Sequence, residues 1–165
     1  MQSKDLLLMA LQQSYGLVMP LLEDLQSASL VVPTAQGGNH AHWILGHLVA
    51  SEGHFRAMMR GIPNPVEQLM PLFGGGTSPD PAGERYPAYG ELLAGIIDLR
   101  RETMQWLEPL GEKDLDQASK VVPPGFEPFF GTWRSCLLVQ AMHWMNHRGQ
   151  LADCRRAAGR GRLMA

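Results

Sequence analysis

The sequence is poor in cysteine, and it has neither a long apolar run nor an excess of charge of one sign. Two cysteines in 165 residues are too few for a disulfide framework. The 14 basic and 16 acidic side chains give a formal net charge of −2 without any basic run, which argues against a nucleic-acid partner. No apolar stretch approaches the ~20 residues of a membrane span, and the N-terminus lacks the pattern of a signal peptide. We therefore expect a cytoplasmic protein that binds neither nucleic acid nor membrane.

The length fits a single domain, residues 1–165, that is large enough to bury a hydrophobic core. Cys136 and Cys154 fall in the same predicted helix, 18 residues and therefore ~27 Å apart along its axis. They cannot bridge each other at that separation. We expect both to be buried free thiols that behave as small apolar side chains.

Apolar side chains recur at intervals of three and four residues in four long stretches, which is typical of helices with one buried face. Pro20 lies inside the first stretch and predicts a kink or a break near that point. Asn39 and Thr132 are the expected N-caps of the second and fourth helices, and Pro87 the expected first turn of the third. The predicted helices span 3–26, 39–60, 87–111 and 131–159.

Two long connections separate these helices, and a shorter loop is predicted at 27–38. Segment 61–90 holds twelve of the chain's 30 prolines and glycines and includes a short predicted helix at 66–73. It is either a plain surface crossover or a functional lid. Segment 112–130 is predicted to be irregular, with one helical turn at 114–117. The predicted fold is all-α, an up-down-type four-helix bundle with two long irregular connections.

Three histidines are predicted to point into the core of this bundle. His143 and His147 are four residues apart on the last helix, so both imidazoles can reach one ion. His47 lies at the middle of the second helix, whereas His40 and His54 lie ~10 Å to either side of it. Buried imidazoles need partners, and three of them can hold a divalent ion such as Zn²⁺, Ni²⁺ or Fe²⁺ with a fourth position left open. The alternative is that they hydrogen-bond to one another and to buried water.

Further side chains are weaker candidates for the surroundings of such a site. Asn39, Trp43, Ser51 and Gln140 are candidates for lining the pocket, although packing or capping is the role that we expect of each. Glu52 is a possible general base, although we expect a solvated carboxylate on the helix surface. There is no His-Glu-x-x-His motif, which argues against a zincin protease.

Two segments resemble a known family. The run NHAHWILGHLVASEGHF resembles the second helix of the DinB/YfiT-like superfamily of metal-dependent enzymes, with Trp43, His47 and Leu48 matching its W-x-x-x-H-L pattern. The run HWMNHRGQ, which begins at His143, resembles that family's fourth-helix signature H-x-x-x-H-R-G-Q. The resemblance implies a four-helix bundle, often dimeric, in which His47, His143 and His147 hold a divalent metal ion in a pocket at one end.

The resemblance also suggests an activity. Characterised relatives include thiol-dependent S-transferases and a maleylpyruvate isomerase that uses low-molecular-weight thiols, and many other members are assigned as metal-dependent hydrolases. We therefore hypothesise a homodimeric, metal-dependent S-transferase that joins a low-molecular-weight thiol cosubstrate to a small-molecule substrate. The alternatives are a metal-dependent hydrolase and a bundle that binds a metal or ligand without catalysis.

Overall fold

The fold is all-α, as predicted. The computed structural model describes residues 2–33, 37–161 and 163. Within these ranges every regular element is a helix, and the only β pairing is an isolated bridge between Ala118 and Thr132. The helices are α1 (Ser3–Asp24), α2 (Ala41–Arg60), α3 (Met70–Phe73), α4 (Tyr89–Leu107), α5 (Glu127–Phe130) and α6 (Trp133–Ala157).

Four of these helices are long, and they match the four predicted stretches. Helix α1 packs along α6, and α2 packs on both α4 and α6. The expected up-down order of a four-helix bundle stays a prediction. Three short 3₁₀ turns, at Leu25–Ala28, Glu67–Leu69 and Glu112–Asp116, extend or join the helices.

The connections contain more helix than the sequence indicated. The predicted short helix at 66–73 is present as the second 3₁₀ turn followed by α3, and the turn predicted at 114–117 lies at 112–116. The first 3₁₀ turn enters the predicted loop 27–38, of which residues 34–36 lie outside the described residues. Segment 112–130 was predicted to be irregular as far as Phe130, but it ends in α5.

Two predicted helix starts were wrong by one or two residues. Helix α2 is capped by His40 and not by Asn39, because the His40 Nδ1 accepts a hydrogen bond of 3.2 Å from the Trp43 N–H. Helix α4 begins after Pro87, at Tyr89.

At the other end, α4 stops at Leu107 and not near Gly111. Pro109 has no N–H to donate to the Gln105 carbonyl, so the helical hydrogen bonds cannot continue. The predicted cap of α6 is confirmed, since the Thr132 hydroxyl accepts from the Ser135 N–H at 3.2 Å.

Helix α1 continues through Pro20 without a break. Proline removes one helical hydrogen bond, and that loss is offset where neighbouring side chains are buried. Val18 and Leu22, on either side of Pro20, are fully buried in the same core cluster as Trp144 and Leu151 of α6. Packing against α6 therefore keeps the helix intact at this point.

The stretch Ser3–Ala28 is long and apolar enough to cross a membrane by length and composition alone, with a mean hydropathy of 1.2. It contains no uninterrupted apolar run of that length, because the polar residues 12–14 lie inside it. A core helix of a soluble protein meets the same criterion, so the finding is weak evidence for a membrane span. Leu11, Val18 and Leu22 of this stretch are fully buried within the fold.

A layer of buried polar side chains separates two hydrophobic clusters in the core. On α2, residues up to Ala50 belong to the first cluster and residues from Phe55 onward belong to the second. The buried Glu52 lies between them. On α6 the second cluster ends at Ala141 and the first begins at Trp144. His143 lies at this boundary, at the same height along the helices as the buried polar side chains.

Candidate metal centre

The three predicted histidines meet at one point between α2 and α6. The Nε2 atoms of His47 and His143 are 2.9 Å apart, and those of His147 and His143 are 3.0 Å apart. The three ligand atoms all lie within 4.8 Å of one another. Zinc–nitrogen bonds of ~2.0–2.1 Å in tetrahedral geometry place two nitrogens ~3.3 Å apart, so the observed spacing fits a shared ion after a small outward movement of the rings.

The ring of His47 is held by the connection that follows α2. Its Nδ1 lies 2.6 Å from the Phe73 carbonyl oxygen, which can only accept a hydrogen bond. The Nδ1 therefore carries the proton, and Nε2 presents a lone pair to the other two histidines. Trp43 stacks parallel to the ring, with centroids 4.8 Å apart, and its Nε1–H donates to the Thr77 hydroxyl at 3.2 Å.

The ring of His147 is oriented by its own helix. Its Nδ1 lies 3.0 Å from Oε1 of Gln150, which is one turn further along α6. With Nδ1–H donating to this oxygen, Nε2 of His147 also presents a lone pair to the shared point. Outer hydrogen bonds that fix the tautomer in this way are typical of metal-ligating histidines.

His143 differs from the other two histidines. Its Nε2 faces both neighbouring Nε2 atoms, and its Nδ1 is buried without a hydrogen-bond partner among the described residues. A buried imidazole in this position lacks one of the two hydrogen bonds that it can make. An ion at the shared point would give Nε2 of His143 a strong partner together with those of His47 and His147.

Burial keeps all three imidazoles neutral at physiological pH. Burial and the nearby charges of His147 and His47 lower the pKa of His143 to about 3. Burial, followed by the charge of His47, lowers the pKa of His147 to about 4. Burial also lowers the pKa of His47. Neutral imidazole is the form that ligates a metal, so the three side chains need not lose a proton first.

The other three histidines of the chain are not part of this cluster. His40 is buried as the cap of α2, and its Nε2 lies 2.9 Å from the Asp80 carbonyl oxygen. His42 is buried, and its Nε2 lies 3.0 Å from the Pro87 carbonyl oxygen. His54 is partly exposed further along α2.

The weaker candidates for pocket residues are dispersed. Trp43 contacts His47 directly, as described above. The Asn39 backbone carbonyl accepts a hydrogen bond from the Cys154 thiol at 3.4 Å. Ser51 is partly buried one turn after His47. Gln140 is fully buried, and neither end of its side-chain amide has a hydrogen-bond partner in the described part of the chain. Their role in a pocket stays a prediction.

The expectation that Glu52 is a solvated carboxylate was wrong. Glu52 is fully buried, and its Oε2 lies 3.1 Å from a guanidinium nitrogen of Arg100. Arg100 also lies over the Trp144 ring, 4.3 Å from its centroid. Spacing could have indicated this, because Glu52 follows buried Leu48 by four residues.

Sequence reasoning missed three groups that hold the histidines. Gln150 belongs to the matched H-R-G-Q signature and lies three residues after His147, so helical spacing could have assigned its contact. Phe73 contributes a backbone carbonyl, for which no side-chain pattern exists. Thr77 lies after three glycines in the long connection, where no periodic signal places it beside Trp43.

Cavity volume alone would have pointed elsewhere. A cavity of about 450 Å³ lies between α1 and α6, with Leu17, Pro20 and Arg148 in its wall, and none of the three histidines lines it. The candidate site lies at the histidines, because three potential ligand atoms converge there within 4.8 Å of one another.

Comparison with known proteins identifies the family of the chain. A sequence model of the DinB superfamily matches residues 10–151, which extend from α1 into α6 and contain all three clustered histidines. A search of curated proteins gave no match. The match covers most of the chain, and the chain therefore belongs to the DinB superfamily.

Proposed function

We propose that this protein binds a divalent metal ion through His47, His143 and His147 and acts as a metal-dependent thiol S-transferase on a small molecule. The observation that carries the proposal is the meeting of three Nε2 atoms at 2.9 and 3.0 Å, two of them with the lone pair directed inward by an outer hydrogen bond. Imidazole ligands suit Zn²⁺, Ni²⁺ and Fe²⁺.

Three protein ligands leave a coordination position for a small molecule. When bound, the ion supplies Lewis acidity, which lowers the pKa of a thiol or a water molecule in that position. The chain itself orients the ligands through the Phe73 carbonyl and the Gln150 amide. Among the described residues, no acidic or basic side chain hydrogen-bonds to the three histidines. Their surroundings therefore support binding and orientation more than proton transfer by the protein.

Metal content is the first test. Protein purified without a polyhistidine tag is expected to contain one equivalent of metal, and His47→Ala, His143→Ala and His147→Ala are each expected to lose it. His54→Ala is the matched control, because it removes an imidazole from α2 outside the cluster. Unchanged metal content in the three variants would overturn the proposal.

Activity assays then distinguish the transferase from its alternatives. The metal-loaded protein is incubated with small electrophiles and with glutathione, mycothiol or bacillithiol. Consumption of the thiol with formation of a thioether supports the S-transferase. Turnover with water alone indicates a metal-dependent hydrolase. Bound metal without turnover of any tested compound indicates a metal- or ligand-binding protein that does not catalyse.

A homodimer and a cytoplasmic location also remain proposals. Leu138, Met142 and Met145 of α6 are exposed, and they line one groove together with Ala10 and Leu17 of α1. An apolar face shared by two packed helices suits contact with a second copy of the same face. The mass of the protein in solution, compared with that of Met142→Glu, tests the dimer.

A further inference from the structure

A continuous row of aromatic rings leads from the histidine cluster to the protein surface. The His143 ring meets the edge of Phe55 at a centroid distance of 5.7 Å, and Phe55 lies 5.8 Å from Phe130. Phe130 in turn lies 6.1 Å from Phe126 and 6.5 Å from Phe129. The rings become steadily more exposed along this row, from 8% for Phe55 to 50% for Phe126 and 54% for Phe129.

The outer rings are presented by a short, well-bonded segment. The Phe129 and Phe130 N–H groups both donate to the Phe126 carbonyl at 3.0 Å, which forms the single turn of α5. The Ser119 N–H donates to the Gly131 carbonyl at 3.0 Å and ties the end of this turn to the preceding connection. This turn therefore holds two half-exposed phenylalanines beside Phe130, and together they form a contiguous apolar surface to which an apolar ligand group can bind.

The side chains one helical turn from the clustered histidines, on the side of the aromatic row, are uncharged. One turn along each helix from the clustered histidines lie Ser51 on α2 and Val139 on α6, and both are partly buried. Val139 and Phe130 both pack against the core cluster that contains Phe55. The carboxylate of Glu127 is exposed and accepts the Gly125 N–H at 3.2 Å. A ligand extending from His143 toward Phe130 would therefore lie among aromatic rings, the aliphatic side chain of Val139 and the hydroxyl of Ser51.

We propose that the small-molecule substrate carries an aromatic or similarly bulky apolar group, which binds against Phe130, Phe126 and Phe129 while its polar end reaches the ion. This inference rests on the proposed function, because it takes the three histidines as the metal site. It adds the class of substrate and identifies the α5 phenylalanines as specificity-determining side chains. Aromatic ligands are favoured here because rings at 4.5–7 Å attract one another beyond simple burial.

The test uses protein loaded with Co²⁺, whose visible absorption reports a ligand entering the open position. We would titrate 1-methylimidazole and 1-benzylimidazole, which coordinate through the same type of nitrogen and differ only in the apolar group. The benzyl compound is expected to bind about tenfold more tightly or better, because its ring contacts the aromatic row.

The double variant Phe126→Ala/Phe129→Ala is expected to reduce this preference to about twofold or less while Co²⁺ still binds. Val32→Ala/Ile97→Ala is the matched control, since it removes two exposed apolar side chains elsewhere, and it should keep the full preference. Equal affinity for the two probes in the parent protein, or an unchanged preference in the phenylalanine variant, would overturn this inference alone. Failure to bind Co²⁺ at the histidines would overturn the proposed function and this inference with it.

Discussion

Glu52 and Arg100 form an ion pair inside the helical core, and both side chains are almost completely buried. Burial lowers the pKa of Arg100, and the nearby carboxylate of Glu52 acts in the opposite direction. Several of their polar atoms lack hydrogen-bond partners in the described part of the chain. Each charge therefore depends mainly on the other, and the loss of one would leave the other uncompensated in a medium of low polarity.

We expect Glu52→Ala to lower the free energy of unfolding by about 3–5 kcal/mol, because Arg100 would remain buried without its counter-charge. Urea unfolding at a fixed metal concentration measures the change. The double variant Glu52→Leu/Arg100→Leu should regain most of the loss, since it removes both charges.

The surface pair Asp98–Arg101, at 2.9 Å with side chains 59% and 61% exposed, is the matched control. Asp98→Ala should change stability by less than about 1 kcal/mol. If Glu52→Ala were as mild as Asp98→Ala, the buried pair would contribute little.

The two cysteines are free and buried, as predicted. Burial raises the pKa of Cys136 to about 12. Burial, followed by the charge of Asp153, raises that of Cys154 to about 11. An unfolded thiol ionises near its ordinary pKa of ~8.5. Above that pH the unfolded chain binds fewer protons than the native protein, so stability must fall as the pH rises.

We therefore expect the free energy of unfolding to decrease between about pH 9 and pH 11, by up to ~1.4 kcal/mol per pH unit for each thiol. Urea unfolding at several pH values gives this slope. Cys136→Ala should show a shallower slope than the parent protein, because one of the two groups is gone. Parallel slopes would indicate that Cys136 ionises equally in both states.

At the scale of elements, α2 and α3 fit together only because residue 46 is glycine. A side-chain carbon placed on Gly46 would lie 2.3 Å from the Phe73 ring. Phe73 is fully buried, and its ring lies 4.6 Å from that of Tyr86, so it cannot move away freely. Because the Phe73 carbonyl orients His47, this contact links helix packing to the candidate metal centre.

We expect Gly46→Ala to destabilise the protein by about 1–3 kcal/mol and to weaken metal binding as well, since α3 and its carbonyl must shift. Urea unfolding and competition with a chelator of known affinity measure the two effects. Gly95→Ala in α4, where nothing lies within 4 Å of the added carbon, should instead gain about 0.5–1 kcal/mol without changing metal affinity. Normal metal affinity in Gly46→Ala would mean that the Phe73 contact does not matter for binding.

The four long helices and the three clustered histidines could be predicted because their signals are periodic. Leu48 marks the inward face of α2 that also carries His47, and the four-residue spacing of His143 and His147 puts them on one side of α6. The contacts of Phe73 and Thr77 could not be predicted, because they depend on how an aperiodic connection folds back. The buried position of Glu52 was not predicted, because a charged side chain is usually exposed. Its place four residues after Leu48 nevertheless puts it on the inward face of α2.

At the scale of the whole molecule, an ion at the histidines would join α2 to α6 in the native state only. A ligand present at 100 times its Kd stabilises the fold by about 2.7 kcal/mol. For a chain of this size that corresponds to a rise in Tm of roughly 5–11 °C.

We expect a chelator to lower the Tm of the metal-loaded protein by this amount, as scanning calorimetry would show. His143→Ala should melt at the same temperature with and without chelator, because it has already lost a ligand. Identical curves for the parent protein with and without chelator would favour histidines that only hydrogen-bond to one another.

His47 and His143 are 96 residues apart in the chain. During synthesis the first imidazole leaves the ribosome long before the second, and a single imidazole holds a divalent ion only weakly. If the proposed function holds, the cell would load the ion tightly only after α6 has been made and has docked on α2. Metal uptake would then be a late event in the maturation of the protein, and nascent or prematurely terminated chains would not compete for the ion.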